Sequence, residues 1–229
     1  MPRIVTPPSI AIFASGTKDG GGSGLRRLGE AVRTGLLQAT IAGVVSNRAN
    51  GGVARIAEEL AVPFIHMTNF EAVSYRKVVD ELEPDRIALS GWLKFVAGLD
   101  GMVFNIHPGL LPQTGGLWGH AVHERVVQLA RAGRITHTAV TMHFVTAEES
   151  YNSDRYDVGP TFFRFPVPIY DSDDADSLGA RVNTVEHAWQ AWVTNEVIHN
   201  RINWDGEDPS SLVVPDYVPL IPVERFLAS

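Results

Sequence analysis

Two patterns of apolar residues alternate along the first half of the chain. Short, nearly continuous runs such as SIAIFAS (residues 9–15), TIAGVVSN (40–47), PFIHM (63–67), DRIALSG (85–91) and GMVFNIH (101–107) form one pattern. They are rich in Ile, Val and Phe, are bounded by Gly, Pro and Asp, and read as buried strands. In the other pattern, apolar residues recur every three or four positions. GLRRLGEAVRTGLL (24–37) places Leu25, Leu28, Ala31 and Val32 on one helical face, and GGVARIAEELA (51–61) and FEAVSYRKVVDEL (70–82) are helices too. Strand and helix in alternation predict an α/β fold, a doubly wound and mostly parallel sheet with helices on both faces.

The second half reads differently. GHAVHERVVQLARAG (119–133) predicts a helix ended by Gly133. THTAVTMHFVT (136–146) and PTFFRFPVPIY (160–170) read as strands separated by a polar loop, 147–159. Residues 172–202 predict one long helix with an apolar stripe of Leu178, Val182, Val185, Trp189 and Trp192. The acidic run DSDDADS (171–177) at its start reads as a solvated first turn. Residues 203–229, rich in Pro and without periodicity, read as an extended tail packed on the body.

Composition narrows the function. The chain has 229 residues, 45% hydrophobic and 20% charged, enough apolar material for a large core. A net charge of −7 argues against nonspecific nucleic-acid binding. There is no cysteine, hence no disulfide, thiolate metal site or cysteine nucleophile. No apolar run has the length of a membrane span, and the N-terminus has no signal-peptide pattern, so a cytoplasmic protein is expected.

Three stretches carry candidate chemistry. The loop SGTKDGGGSG (15–24) joins a strand to a helix, where glycine amides and a helix N-terminus favour a phosphate, although a plain flexible turn would look the same. It lacks the lysine of a P-loop and the third glycine of a dinucleotide fingerprint. Five of the eight histidines lie between 107 and 143, but without zinc-ligand spacing, so no metal is expected. His143, between Met142 and Phe144, reads as a core or interface histidine. In FNIHPGLLP (104–112), Asn105 and His107 are two apart, so both point to one face of a strand end, roughly 6.5–7 Å from each other. Taken alone, the pair reads first as a cap on the following turn.

The motif NIHPGLLP resembles the Asn-Ile-His-Pro-Ser-Leu-Leu-Pro signature of the folate-dependent formyltransferases. IAIFASG…GSGL, VVSNRANGGVARIAEELAVPF, LSGWLKFV, THTAVTMHFVT, DVGP and ARVNTVEHAWQAWV are similar to further segments of that family, in the same order, over about residues 9–200. The resemblance implies a single formyltransferase domain over 1–202, with a Rossmann-like phosphate-binding half (1–100), a catalytic and folate half (101–202), and the tail 203–229 beyond it. It implies transfer of a formyl group from 10-formyltetrahydrofolate to an amine, that of glycinamide ribonucleotide in purine biosynthesis for the branch it resembles most. Asn105, His107 and Asp157 match the catalytic residues. Gly22, Ser23, Gly24 and Glu186 match the residues that hold the ribonucleotide, and Trp92, Leu93, Lys94, Phe95 and Val96 match the folate wall. The implied partners are small molecules, with a homodimer left open.

Departures from the family pattern are local. The glycine loop carries the extra residues TKDG, Gly24 stands where the family has asparagine, Gly109 where it has serine, and Trp118 where it has the first of two histidines, His120 keeping the second. The longer loop before Asp157 makes Asp154 a rival acid. A hydrolase of the formyl donor, a transferase acting on another amine, and a non-catalytic folate-binding relative are the competing readings.

Overall fold

Residues 10–14 have no solvent exposure, because the strand they form lies in the interior of the sheet. The structure is a computed structural model that describes residues 6–96, 98–99, 101–146 and 156–228. Its strands are β1 (Ser9–Phe13), β2 (Thr40–Ser46), β3 (Phe64–His66), β4 (Arg86–Leu89), β5 (Val103–His107), β6 (His137–Phe144) and β7 (Thr161–Pro168). They form one seven-stranded sheet in the order β3-β2-β1-β4-β5-β6-β7. The pairings from β3 to β5 are parallel, and β5-β6 and β6-β7 are antiparallel. The sheet is therefore mostly parallel, as the alternation of elements predicts.

The strand period of two sorts the side chains into two cores. Ile10, Ile12, Val44, Ala88, Phe104, Ile106, Met142 and Phe144 face one side. There they meet α1 (Ser23–Thr34), α2 (Gly52–Glu59), α4 (His120–Arg131) and α5 (Ala175–Ile198). Ala11, Phe13, Val45, Ile87, Leu89, Val103 and Val145 face the other side, covered by α3 (Ala72–Leu82) and by Trp92, Val96 and Leu99. Asn105 and His107 share their parity with Val103, so they belong to this second face, at the C-terminal end of β5. Open parallel sheets bind ligands at that rim, where the strand order reverses; here the reversal falls between β1 and β4.

Two expectations need correction. The acidic run is not simply solvated. Asp173 is buried and ion-paired with Arg181 at 2.7 Å, while Asp174 caps α5 through a reciprocal pair of hydrogen bonds with Ser177. The Arg181 guanidinium, with the Tyr170 amide and the Ser177 hydroxyl, holds the Asp173 carboxyl down at about 2 despite burial. The single apolar stripe describes only the first half of α5. From Gln190 onward most positions are buried, including Ala191, Val193, Thr194 and Val197, because the tail covers the face that a surface helix would leave wet. Trp204, Val218 and Phe226 of the tail join the core. The Tyr217 hydroxyl donates to Glu196 at 2.6 Å, and single bridges tie Leu220 to Arg164 and Leu227 to Ile135.

Candidate active site

Strand register brings the polar groups together. Asn105 pairs with His143 across the β5-β6 ladder, and His107 pairs with Thr141. Directly opposed residues of an antiparallel pair stand close enough to touch. His143 therefore lies beside Asn105 on the same face of the sheet. Asp157 arrives from the β6-β7 connection in a left-handed conformation with φ 58°, which Asp enters more readily than most residues. Two residues on, Gly159 lets the chain press against β6, since a Cβ there would collide with the Phe144 carbonyl oxygen. The Phe144 amide donates to Pro160 O at 3.0 Å and fixes the approach.

The result is a compact polar cluster. Asp157 Oδ2 lies 3.5 Å from His107 Nδ1 and accepts from the Gly116 amide at 3.0 Å. Asp157 Oδ1 lies 3.3 Å from His143 Nε2 and accepts from Asn105 Nδ2 at 3.3 Å. His143 Nδ1 donates to its neighbour's carbonyl, Phe144 O, at 2.9 Å. His143 Nε2 also lies 3.3 Å from Asn105 Nδ2.

Electrostatics set the protonation states. Burial pushes His107 down to about 4, outweighing the attraction of Asp157, with smaller downward contributions from His143 and His123. Burial also works against an ionised Asp157. Its hydrogen bond with His143, the neighbouring imidazoles and the Gly116 amide more than offset that, holding the carboxyl at about 2. At neutral pH the free site therefore pairs a carboxylate with a neutral imidazole. Asp157 favours the charged imidazole, but desolvation is the larger effect.

These groups form the floor of a cleft of about 470 Å³. At one end is the glycine loop, with Gly16, Gly21 and Gly22 at positive φ and Gly22 capping α1 without a side chain. The loop packs so tightly on α2 that a Cβ on Gly52 would meet the Gly20 carbonyl. Residues 92–96 line the cleft as well. Ser15 Oγ accepts from the Leu93 amide at 2.9 Å, and the Trp92 indole donates to the Tyr75 hydroxyl at 3.3 Å. Lys94 Nζ lies 5.2 Å from the centre of the Phe70 ring.

All the predicted site residues, Gly22, Ser23, Gly24, Trp92, Leu93, Lys94, Phe95, Val96, Asn105, His107, Asp157 and Glu186, line this one cleft. Asp154 and residues 147–155 of its loop lie outside the described residues. Glu186 sits in the wall with its carboxyl pushed up to about 7 by burial, offset only in part by the Asn183 amide at 3.5 Å. His143 was the main residue missed. Its alternation with Met142 and Phe144 was visible, but the register that sets it beside Asn105 was not. Gln190 and Ser90 were also missed. Gln190 Nε2 donates to Ser90 Oγ at 3.0 Å, and these two side chains occupy the space that a Cβ on Gly24 would need. Among the described residues no helix is long and apolar enough to cross a membrane, and no group of three or more ligating side chains could hold a metal ion.

A mostly parallel sheet with an Asn-His-Asp cluster at its rim, facing a glycine loop, defines the class: residues 9–194 match the formyl transferase family, and the chain belongs to it. The chain is 32% identical over 181 residues to phosphoribosylglycinamide formyltransferase of Escherichia coli (strain K12), covering 74% of this chain and 79% of that protein. It is 31% identical over 209 residues to the chloroplastic phosphoribosylglycinamide formyltransferase of Vigna unguiculata, covering 85% of this chain but only 62% of that protein. The crystal structure of glycinamide ribonucleotide transformylase 1 from Symbiobacterium toebii has the same fold, with a TM-score of 0.74 at 23% identity over 92% of this chain and 95% of that one.

Proposed function

We propose that the protein transfers the formyl group of 10-formyltetrahydrofolate to the primary amine of glycinamide ribonucleotide, a step of purine biosynthesis. The observation that carries this reading is the convergence of Asn105, His107 and Asp157 within 3.3–3.5 Å on the floor of a cleft with a glycine loop at one end. The glycine loop and the N-terminus of α1 would take the ribose phosphate. Glu186 would take the acceptor's polar groups, and residues 92–96 the folate. Ordering both substrates over one floor supplies much of the acceleration.

The chemistry follows from the charges. The amine nitrogen attacks the formyl carbon and the carbonyl oxygen becomes negative. The Asn105 amide donates to that oxygen, at a worth of about 3–4 kcal/mol for a good donor, and the positive charge of a protonated His107 stabilises it. With free His107 neutral, the attacking amine supplies the proton that charges it. The amine gives up a proton, Asp157 stabilises the resulting imidazolium, and the folate nitrogen regains a proton as its bond to the formyl carbon breaks. Tetrahydrofolate and the formylated amide leave. The same reading has the protein working in the cytoplasm on small molecules, as a monomer or homodimer, with no nucleic-acid partner.

The test is to incubate the protein with 10-formyltetrahydrofolate, with and without glycinamide ribonucleotide, and to follow tetrahydrofolate. Release that depends on the acceptor is expected. Equal release without it would replace the transferase with a hydrolase, and release only with another amine would replace the acceptor.

A further inference from the structure

We propose that Thr114 is a positioning residue that fixes the tautomer of His107, and that Gly109 is glycine so that the Thr114 hydroxyl can reach the ring. The inference rests on the acid–base role given to His107 above. Thr114, in the loop between β5 and α4, is buried, with 1% exposure. A hydroxyl has one proton, and that of Thr114 goes to the Leu110 carbonyl at 3.0 Å, one helical turn back. The same oxygen lies 2.9 Å from His107 Nε2. With its proton committed, the oxygen can only accept, so His107 must carry hydrogen on Nε2.

This has a chemical consequence. The neutral ring holds one hydrogen. Placed on Nε2, it leaves a lone pair on Nδ1, directed toward Asp157 Oδ2 at 3.5 Å. A lone pair facing a carboxylate is a poor contact, and a proton arriving at Nδ1 turns it into an ion pair. Thr114 thus leaves Nδ1 open as the atom that takes and returns the proton. Without the Thr114 oxygen, the neutral ring would instead place its hydrogen on Nδ1, donate to Asp157, and bury a bare Nε2. That tautomer cannot accept a proton on the cleft side.

Gly109 belongs to the same device. A Cβ on it would fall on the Thr114 hydroxyl and come within 2.8 Å of Val122 Cγ1 and 3.1 Å of His107 Nε2. Its carbonyl is held by the Thr141 hydroxyl at 2.8 Å, so the chain has little room to retreat. The other titratable groups acting on the ring are Asp157 from the β6-β7 connection, His143 from β6 and His123 from α4. Asp157 lies against Nδ1, and the Thr114 hydroxyl oxygen against Nε2.

The experiment has a readout independent of activity. Nitrogen-15 NMR of histidine-labelled full-length protein at pH 7 reports which ring nitrogen of His107 carries hydrogen. The Nε2–H form is expected in the unaltered protein and in Thr114→Ser, and the Nδ1–H form in the isosteric Thr114→Val. An unaltered protein with the Nδ1–H form overturns the proposal without any variant, and so does Thr114→Val with an unchanged tautomer. In the formyl-transfer assay, Thr114→Val should lower kcat roughly 10–100-fold, the lower part of the range for lost acid–base catalysis, with KM little changed. The acid limb of its pH profile should move to lower pH, and Thr114→Ser should restore both. Formyl transfer with equal kcat in all three proteins would overturn the positioning role. The expected tautomers in a protein that transfers no formyl group would leave this assignment standing and remove the functional reading instead.

Discussion

At the residue scale, the three groups on the cleft floor have separable duties. Asp157→Asn keeps the shape of the side chain but removes the charge that stabilises an imidazolium. It should lower kcat by about 10²–10⁴ while leaving folate binding, measured by fluorescence titration, nearly intact; loss of binding with kcat preserved would contradict the assignment. Glu186 gives a prediction in pH. Its folded carboxyl is raised from 4.5 to about 7, so the folded state holds a proton that the unfolded chain releases. Its burial therefore costs nothing below about pH 4.5. The penalty grows as pH rises through that window and is complete above about 7, at about 3 kcal/mol. Glu186→Gln should raise Tm at pH 8 and leave it unchanged at pH 4. An equal shift at both values would show that the gain is packing and not charge.

At the element scale, the site depends on close approaches between chain segments. Asp157 is delivered by a connection that can press on β6 only because residue 159 has no side chain. Gly159→Ala should push that connection outward, destabilise the fold by about 1–3 kcal/mol, the usual cost of overpacking, and reduce kcat about as severely as loss of the carboxylate. A folded Gly159→Ala protein with full activity would show that the connection has slack. The glycine loop poses the same problem on the other side of the cleft. Gly24 leaves room for the Gln190–Ser90 hydrogen bond, which links α5 to the end of β4. Helix, strand and loop meet there in one packed unit, so Gly24→Ala should raise KM for the ribonucleotide more than it lowers kcat. The reverse pattern in steady-state kinetics would place Gly24 on the reacting side of the cleft.

At the scale of the whole molecule, the tail is structural. Phe226 is buried to 1% exposure and its backbone carbonyl accepts from the Thr136 amide at 2.9 Å, just before β6 begins. Phe226→Ala should cost about 3–5 kcal/mol, a fall in Tm of roughly 6–20 °C for a chain of this length. An unchanged melting curve would show that the tail merely rests on the body. Much of the architecture was legible beforehand because buried parallel strands and amphipathic helices leave different periods in a sequence. The stripe on α5 misled in its second half, since periodicity reports which face is apolar and not which further segment will cover the rest. The acidic run misled for a related reason: the partner of Asp173 is Arg181, two turns along the helix and folded back over its start.

The order of residues alone determined the strand-helix alternation, the shared face of Asn105 and His107, and the glycine-rich entry to α1, because each follows from local periodicity and from the conformational range of single residues. Only the tertiary structure decided that His143 stands beside Asn105, that Asp157 closes the cluster, and that the Thr114 hydroxyl takes the space beside Gly109. Those depend on the β5-β6 register and on close contacts between segments, and neither leaves a mark at short range along the chain. The protonation of His107 belongs to the fold in the same way, since burial, and not residue type, moves it down to about 4.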